Sequence, residues 1–312
     1  MKKILVLLVT LLSVFAHSQK QEAYATKDIE INPLIKGTLY TPEKAAKKTN
    51  LVILIAGSGP TDRNGNTPMG ENNSLKFLSQ DLATKKMAVF SYDKRIFAQI
   101  ANKTFDEKTL RFDDFIKDAK DVIAYFRTQK TYHKIIIAGH SEGAQIGMIA
   151  AAGNADGYIS IAGPGRPIDV IISEQIEKQA PTLKEEVQNN FEILKKGETF
   201  ELKNQMLASI FRESLQPYII SWMQYNPAEE IKKLHIPVLI INGTKDLQVQ
   251  VLDAELLKKA KPEAKLEIIA DMNHLLKEIK TDEKENRDSY SNATLPVMPV
   301  IIDKIAEFVN LL

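Results

Sequence analysis

The chain has 312 residues, with 41 lysines and arginines against 40 aspartates and glutamates, a formal net charge of +1 and 44% hydrophobic residues. That balance leaves no global field for nucleic acid or an anionic membrane surface, and the composition is that of a globular protein rather than a disordered or fibrous one. Cysteine is absent, which excludes a disulfide framework, and the length suits one large α/β domain or two modest ones.

Met1-Lys2-Lys3 followed by an apolar run from Ile4 to Ala16 has the positive start and short apolar core of a secretory signal peptide, too short for a membrane span. Small residues in Ala16-His17-Ser18 put the cut before Gln19. Residues 1–18 are therefore read as a leader, and the expected location is periplasmic or secreted, with no stable membrane insertion after leader removal and no cysteine for lipid attachment. Ala23 to Ile31 and Leu34 to Tyr40 then read as strands joined at Asn32-Pro33, a hairpin at the edge of a sheet.

Leu51 to Ile55 is a continuous apolar, β-branched strand ending in Ala56-Gly57-Ser58-Gly59-Pro60. A glycine-rich turn brings backbone close to a ligand, so the N–H of Ser58 is a candidate donor to an anion, where a plain β-turn is the simpler alternative. A helix from Leu75 to Lys85, a strand from Ala88 to Tyr92 and a helix from Phe112 to Thr128 follow. The strand Lys134 to Ala138 runs into Gly139-His140-Ser141-Glu142-Gly143, and a helix is expected from Glu142 to Ala152. This is the GxSxG elbow between strand and helix: a serine on so sharp a turn needs small residues two before and two after it, and its hydroxyl is exposed over the sheet. The helix behind Ser141 aims free N–H groups at the site, which makes the N–H of Glu142 the second candidate donor.

A strand from Tyr158 to Ala162 continues the alternation, which breaks over residues 164–234. There, helical periodicity in Ile168 to Gln179, Thr182 to Lys195, Glu201 to Glu213 and Pro217 to Gln224 predicts an inserted helical cap. Phe191, Phe200, Met206, Phe211, Trp222, Met223 and Tyr225 are either the core of this cap or the lining of a pocket beneath it, and helical spacing favours core. The alternation resumes with a strand, Pro237 to Ile241, running into Asn242-Gly243-Thr244-Lys245-Asp246, and a helix from Val249 to Ala260. A last strand, Leu266 to Ile269, exits into Asp271-Met272-Asn273-His274, and a helix spans Val300 to Leu312. The charged run Lys280 to Arg287 reads as solvated loop. The division is thus a core of residues 19–163 and 235–312 and a cap of residues 164–234, with a mostly parallel sheet covered by helices on both faces.

Five histidines narrow the choice of a base. His17 lies in the leader, His140 is tied into the elbow, and His133 and His235 each precede a predicted strand, at the end of the sheet away from Ser141. His274 is left, at a strand's carboxyl exit, where open parallel sheets build their sites. Asp246 leaves the preceding strand at the same edge, and the chain order Ser141, Asp246, His274 is that of an α/β-hydrolase.

Gly57-Ser58-Gly59-Pro60-Thr61-Asp62-Arg63-Asn64-Gly65-Asn66, Ser91-Tyr92-Asp93-Lys94-Arg95, the GHSEG elbow, Gly243-Thr244-Lys245-Asp246 and Met272-Asn273-His274 together resemble bacterial α/β-hydrolase carboxylesterases, close to the serine aminopeptidase S33-like group. The resemblance runs from about residue 25 to the C-terminus and implies a hydrolase of carboxylic esters with Ser141, Asp246 and His274 as triad. Two positions depart from it: Ala56 stands where many relatives have histidine, and Ile96 where a glycine is common. The expected activity is cleavage of a small-molecule ester through an acyl-enzyme, with neither metal nor organic cofactor, and the oligomeric state is open. A peptidase using Glu142 or a cap carboxylate to hold a substrate amine, an acyltransferase, and a binding module on the same fold are the alternatives.

Overall fold

A computed structural model describes residues 23–43 and 48–312, so the leader read over residues 1–18 lies outside the described residues. The described chain begins with a hairpin, β1 (Tyr24–Asn32) and β2 (Ile35–Pro42), whose turn closes when the Asn32 side chain accepts the N–H groups of Leu34 and Ile35. Strand β3 (Leu51–Ile55), helix α1 (Ser74–Thr84), β4 (Ala88–Tyr92), the short helix α2 (Arg95–Ala101) and the long helix α3 (Phe112–Gln129) follow. Next come β5 (Ile135–His140), α4 (Glu142–Ala151) and β6 (Gly157–Ile161).

Between β6 and the next strand, β7 (Val238–Gly243), the chain makes α5 (Ile168–Gln179), α6 (Lys184–Lys195), the single turn α7 (Ala208–Phe211), α8 (Gln216–Trp222) and another single turn, α9 (Pro227–Glu230). It closes with α10 (Val251–Ala260), β8 (Lys265–Ile269), α11 (Glu283–Asp288) and α12 (Pro299–Asn310).

The eight strands form one sheet in the order β1-β2-β4-β3-β5-β6-β7-β8, antiparallel at the β1/β2 and β2/β4 pairs and parallel from β4 to β8. Side chains alternate across a strand, so β3 sends Leu51, Ile53 and Ile55 to the face packed by α3 and α4, and Val52 and Leu54 to the face packed by α1 and α12. Both faces are covered, which is why these strands read as unbroken apolar runs. The register sets Ile55 beside Gly139, Gly139 beside Ser160 and Gly243 beside Ile269, so the carboxyl ends of β3, β5, β7 and β8 open along a single edge.

The strands lie within two residues of their sequence positions at either end, two expectations are corrected and one short helix is added. Residues 201–213, expected as one helix, hold only a 3₁₀ turn (Gln205–Leu207) and α7. There the Glu213 carboxylate takes the N–H of Leu202, and the Gln216 side chain bridges Phe200 and Phe211, so backbone groups bond to side chains instead of to a helix ladder. Helix α2 was not anticipated. The charged run from Lys280 to Arg287, expected as loop, folds as α11 because Asp282 accepts the N–H of Glu285 while Glu285 reaches back to Thr281, a reciprocal cap at the helix start. Among the described residues, no helix is long and apolar enough to cross a membrane.

Candidate active site

Ser141 stands between β5 and α4 with φ 56° and ψ −123°, a conformation that side chains other than glycine's seldom adopt. Its N–H is anchored to the Ile161 carbonyl at 2.9 Å. The two elbow glycines are required by contact: a Cβ at Gly139 would overlap the carbonyl of Gly143, and one at Gly143 would overlap the carbonyls of Ile55 and Ala56. Glu142 occupies the first position of α4, whose N–H has no acceptor within the helix. Ser58, on the loop after β3, lines the same cavity wall as Ser141 and Glu142.

The exit loops of β7 and β8 bring the other two predicted residues together. Asp246 and His274 are joined by a 2.8 Å bond between Oδ2 and Nδ1, with both side chains shielded from solvent. The second carboxylate oxygen of Asp246 accepts the N–H groups of Gln248 and Val249 at 2.8 and 2.9 Å, which fixes its plane. With Nδ1–H donated to Asp246, the lone pair of the His274 ring is on Nε2. Ser141 and His274 line one cleft of about 360 Å³, whose wall also carries the hydroxyl and amide groups of Thr61, Asn72, Tyr290 and Ser291.

His140, read from the sequence only as part of the elbow, has a larger part in the geometry. It is buried against His274, with ring centroids 4.8 Å apart. Burial first, and the neighbouring His274 second, push its pKa down to about 3, so it is neutral. A carbonyl only accepts, so the 2.7 Å contact with the His274 backbone oxygen is a bond donated by Nε2–H of His140. The loop is held from its other side by Asn273, whose Oδ1 accepts the N–H groups of Leu275 and Lys277 and whose amide donates to Asn286 and Ser289. Asn286 lies in α11, and its place under the His274 loop is a tertiary contact that no local pattern announces.

A second cavity, of about 740 Å³, adjoins Ser141 on its other side and is mainly apolar. Its walls are isoleucines of α2 and α5, Ile96, Ile100, Ile171 and Ile172 among them, with Ile210 and Trp222 from the segment between β6 and β7. Of the seven large side chains weighed as pocket lining, only Trp222 is there. Phe191, Phe200 and Phe211 pack on each other at 4.9 and 6.0 Å between ring centres, as core of the segment between β6 and β7, and Met206 is exposed to solvent. Ile96 has a definite place: it begins the helix whose apolar face becomes cavity wall.

Glu142 is not available to a substrate amine. Its carboxylate is buried and held by the Lys94 ammonium at 2.5 Å. The Glu174 carboxylate of α5 is likewise engaged, by Arg166, Lys178 and Gln250. Among the described residues no group of three or more histidines, aspartates or glutamates is disposed to hold a metal ion.

Comparison with known proteins agrees with this architecture. Residues 38–260 match the family model described as BD-FAE. Esterase EstD of Thermotoga maritima is 30% identical over 261 residues, which are 82% of this chain and 61% of EstD, so the chain spans about three fifths of that relative's length. Among solved structures, Est1E from Butyrivibrio proteoclasticus superposes with a TM-score of 0.59 at 17% identity, covering 92% of this chain and 98% of its own. An esterase of Pyrococcus furiosus gives 0.54 at 15% identity, covering 92% and 90%. These likenesses establish the α/β-hydrolase fold expected from the motifs, and they do not single out the S33-like group.

Proposed function

The chain belongs to the BD-FAE family, and on that premise we propose that it is a serine hydrolase of carboxylic esters in which Ser141 is the nucleophile, His274 the base and Asp246 the group that orients His274. One observation carries the reading: a buried carboxylate holds Nδ1 of a histidine whose ring shares a cleft with a serine in a strained elbow. His274 Nε2 takes the hydroxyl proton as Ser141 Oγ attacks the ester carbonyl, and Asp246 stabilises the imidazolium. The N–H groups of Ser58 and Glu142 receive the oxyanion, the alcohol leaves with the proton from His274, and water repeats the sequence on the acyl-enzyme. EstD and the Pyrococcus protein are named as esterases, which supports this reaction class.

The two cavities beside Ser141 support a reading of where each end of the ester lies. The larger, apolar cavity takes the acyl group, and the smaller cleft beside His274, with hydroxyl and amide groups in its wall, takes the alcohol. Residues 164–234 act as a cap that sets acyl selectivity through α5, while Ile96 and Ile100 of α2 form the facing wall. The leader reading makes the enzyme an exported one, checked by fractionation and the N-terminal mass of the mature chain. The test of the function is labelling by a fluorophosphonate together with turnover of p-nitrophenyl esters. Wild type should be labelled at Ser141 and hydrolyse the esters, and Ser141→Ala should do neither while keeping its fold. Labelling of Ser141→Ala at the wild-type rate would remove Ser141 from the mechanism.

A further inference from the structure

The reaction scheme uses the backbone N–H of Glu142 and leaves its side chain without a role, yet that side chain is among the most constrained in the protein. Its carboxylate is 2% exposed and meets the Lys94 ammonium, itself 3% exposed, at 2.5 Å. The Tyr218 phenol lies close enough to the same carboxylate to feel its charge, and burial followed by the Glu142 charge raises the Tyr218 pKa well above its ordinary value, keeping the phenol protonated. Lys94 precedes α2 and lies 4.6 Å over the ring of Phe115 on α3. Tyr218 comes from α8. Lys94, Glu142 and Tyr218 all line the apolar cavity beside Ser141.

A carboxylate on the residue next to the nucleophile has an electrostatic consequence. In a water-poor site, a bare negative charge there opposes the charge that develops on the ester oxygen, and it does so most strongly in the transition state. The ammonium of Lys94 cancels that opposition. It also fixes the side chain, and so the first turn of α4 from which the N–H points, while Tyr218 from α8 closes the same cavity wall. We propose that Lys94 and Tyr218 are positioning residues acting through Glu142: they neutralise its carboxylate and hold its N–H on the oxyanion, so that transition-state stabilisation depends on the seating of α8 against the core. The inference rests on the ester-hydrolase reading above.

The test compares Lys94→Met, Glu142→Gln, the double variant and Tyr218→Phe. Each is assayed for kcat and KM on one p-nitrophenyl ester and for inhibition by an alkylboronic acid, which forms a tetrahedral adduct on the nucleophile, and by the corresponding neutral amide. Circular dichroism and melting curves fix the folded fraction. Lys94→Met should lower kcat by about 100-fold with KM within about twofold, and boronate affinity should fall in parallel while amide affinity holds. Glu142→Gln breaks the same ion pair without leaving a bare carboxylate, so its loss should be smaller, and the double variant should regain at least about tenfold over Lys94→Met. Tyr218→Phe should lose kcat by roughly tenfold. A purely structural pair predicts the opposite pattern: equal losses from either single variant, no recovery in the double variant, and unchanged kcat per folded molecule, any of which overturns the proposal. Should Lys94→Met not fold, the comparison of Glu142→Gln with Lys94→Arg decides, the proposal requiring near-normal kcat in the arginine variant with boronate affinity preserved. If wild type neither turns over esters nor reacts at Ser141, the ester-hydrolase reading fails first and separately.

Discussion

Replacing His140 by glutamine tests how the His274 loop is held, and its magnitude follows from one titration. The folded protein keeps His140 neutral down to a pKa of about 3, whereas an unfolded chain takes up the proton near the ordinary histidine value of about 6.5. The folded pKa is lowered, so the contribution to stability is complete above the unfolded value and is lost as the pH falls toward the folded one. Between pH 7 and pH 5 the unfolded chain gains protonation free energy at this site and the native state almost none, a loss of about 2 kcal/mol from this residue alone. For a chain of 312 residues that corresponds to a Tm shift of roughly 3 °C. Glutamine retains an amide donor for the His274 carbonyl and does not titrate in this range. The other ionisable groups are shared by the two proteins, so the difference between their pH profiles isolates His140. The assay is urea unfolding of Ser141→Ala with and without His140→Gln at pH 7, 6 and 5, and the double variant should lose about 2 kcal/mol less over the interval. Parallel losses in the two proteins would refute the reasoning, because they would mean that His140 is not kept neutral by the fold.

Three further outcomes are expected. Asp246→Asn should leave the fold intact and lower kcat by about 10³ to 10⁴, since the amide holds the imidazole in the wrong tautomer; stopped-flow or single-turnover ester kinetics measure it, and a near-normal rate would move the acid role elsewhere. Gly243→Ala places a Cβ against the Met272 carbonyl in the loop leading to His274, and should cost about 1–3 kcal/mol in denaturant unfolding together with activity at permissive temperature. Ile171→Ala, on α5, should shift kcat/KM across acetyl to octanoyl esters toward longer acyl groups, each matched methylene being worth roughly 1 to 3 kcal/mol, whereas Phe200→Ala should lower stability without reshaping the profile.

The parts of the site that were legible in the sequence are those written in short stretches of chain. Gly139 and Gly143 must be glycine because their neighbours' carbonyls lie where a Cβ would be, and that requirement is visible as a pattern of five letters. Asp246 and His274 were found by a different route: each follows an apolar strand, and a parallel sheet sends the carboxyl ends of such strands to one edge. Their 2.8 Å bond is a consequence of topology, and topology was readable from the strand and helix alternation. His140 and Asn286 were not readable in this way. Both support the His274 loop across separations of 134 and 13 residues, by contacts to a backbone carbonyl and to Asn273, which leave no periodicity and no motif.

The apolar cavity shows why large side chains at helical spacing are a poor guide to pocket lining. Aromatic residues at helical spacing in residues 164–234 have the volume to fill a core, and the segment uses Phe191, Phe200 and Phe211 to do so, together with Val187, Leu194, Leu202 and Leu207. The wall of a ligand cavity has another requirement: it must remain apolar without closing the space. Isoleucines projecting from α2 and α5 meet it, since a β-branched side chain is stiff and covers surface while extending less far than a phenyl ring. Ile96 shows the same logic at one position. A glycine there would free the chain after Asp93-Lys94-Arg95 at the cost of helix propensity, whereas isoleucine favours α2 and at the same time supplies a wall. A departure from the family pattern that looked like a disturbance of the loop is therefore a substitution that shapes the pocket, and the same short helix starts directly after Lys94, whose charge answers that of Glu142.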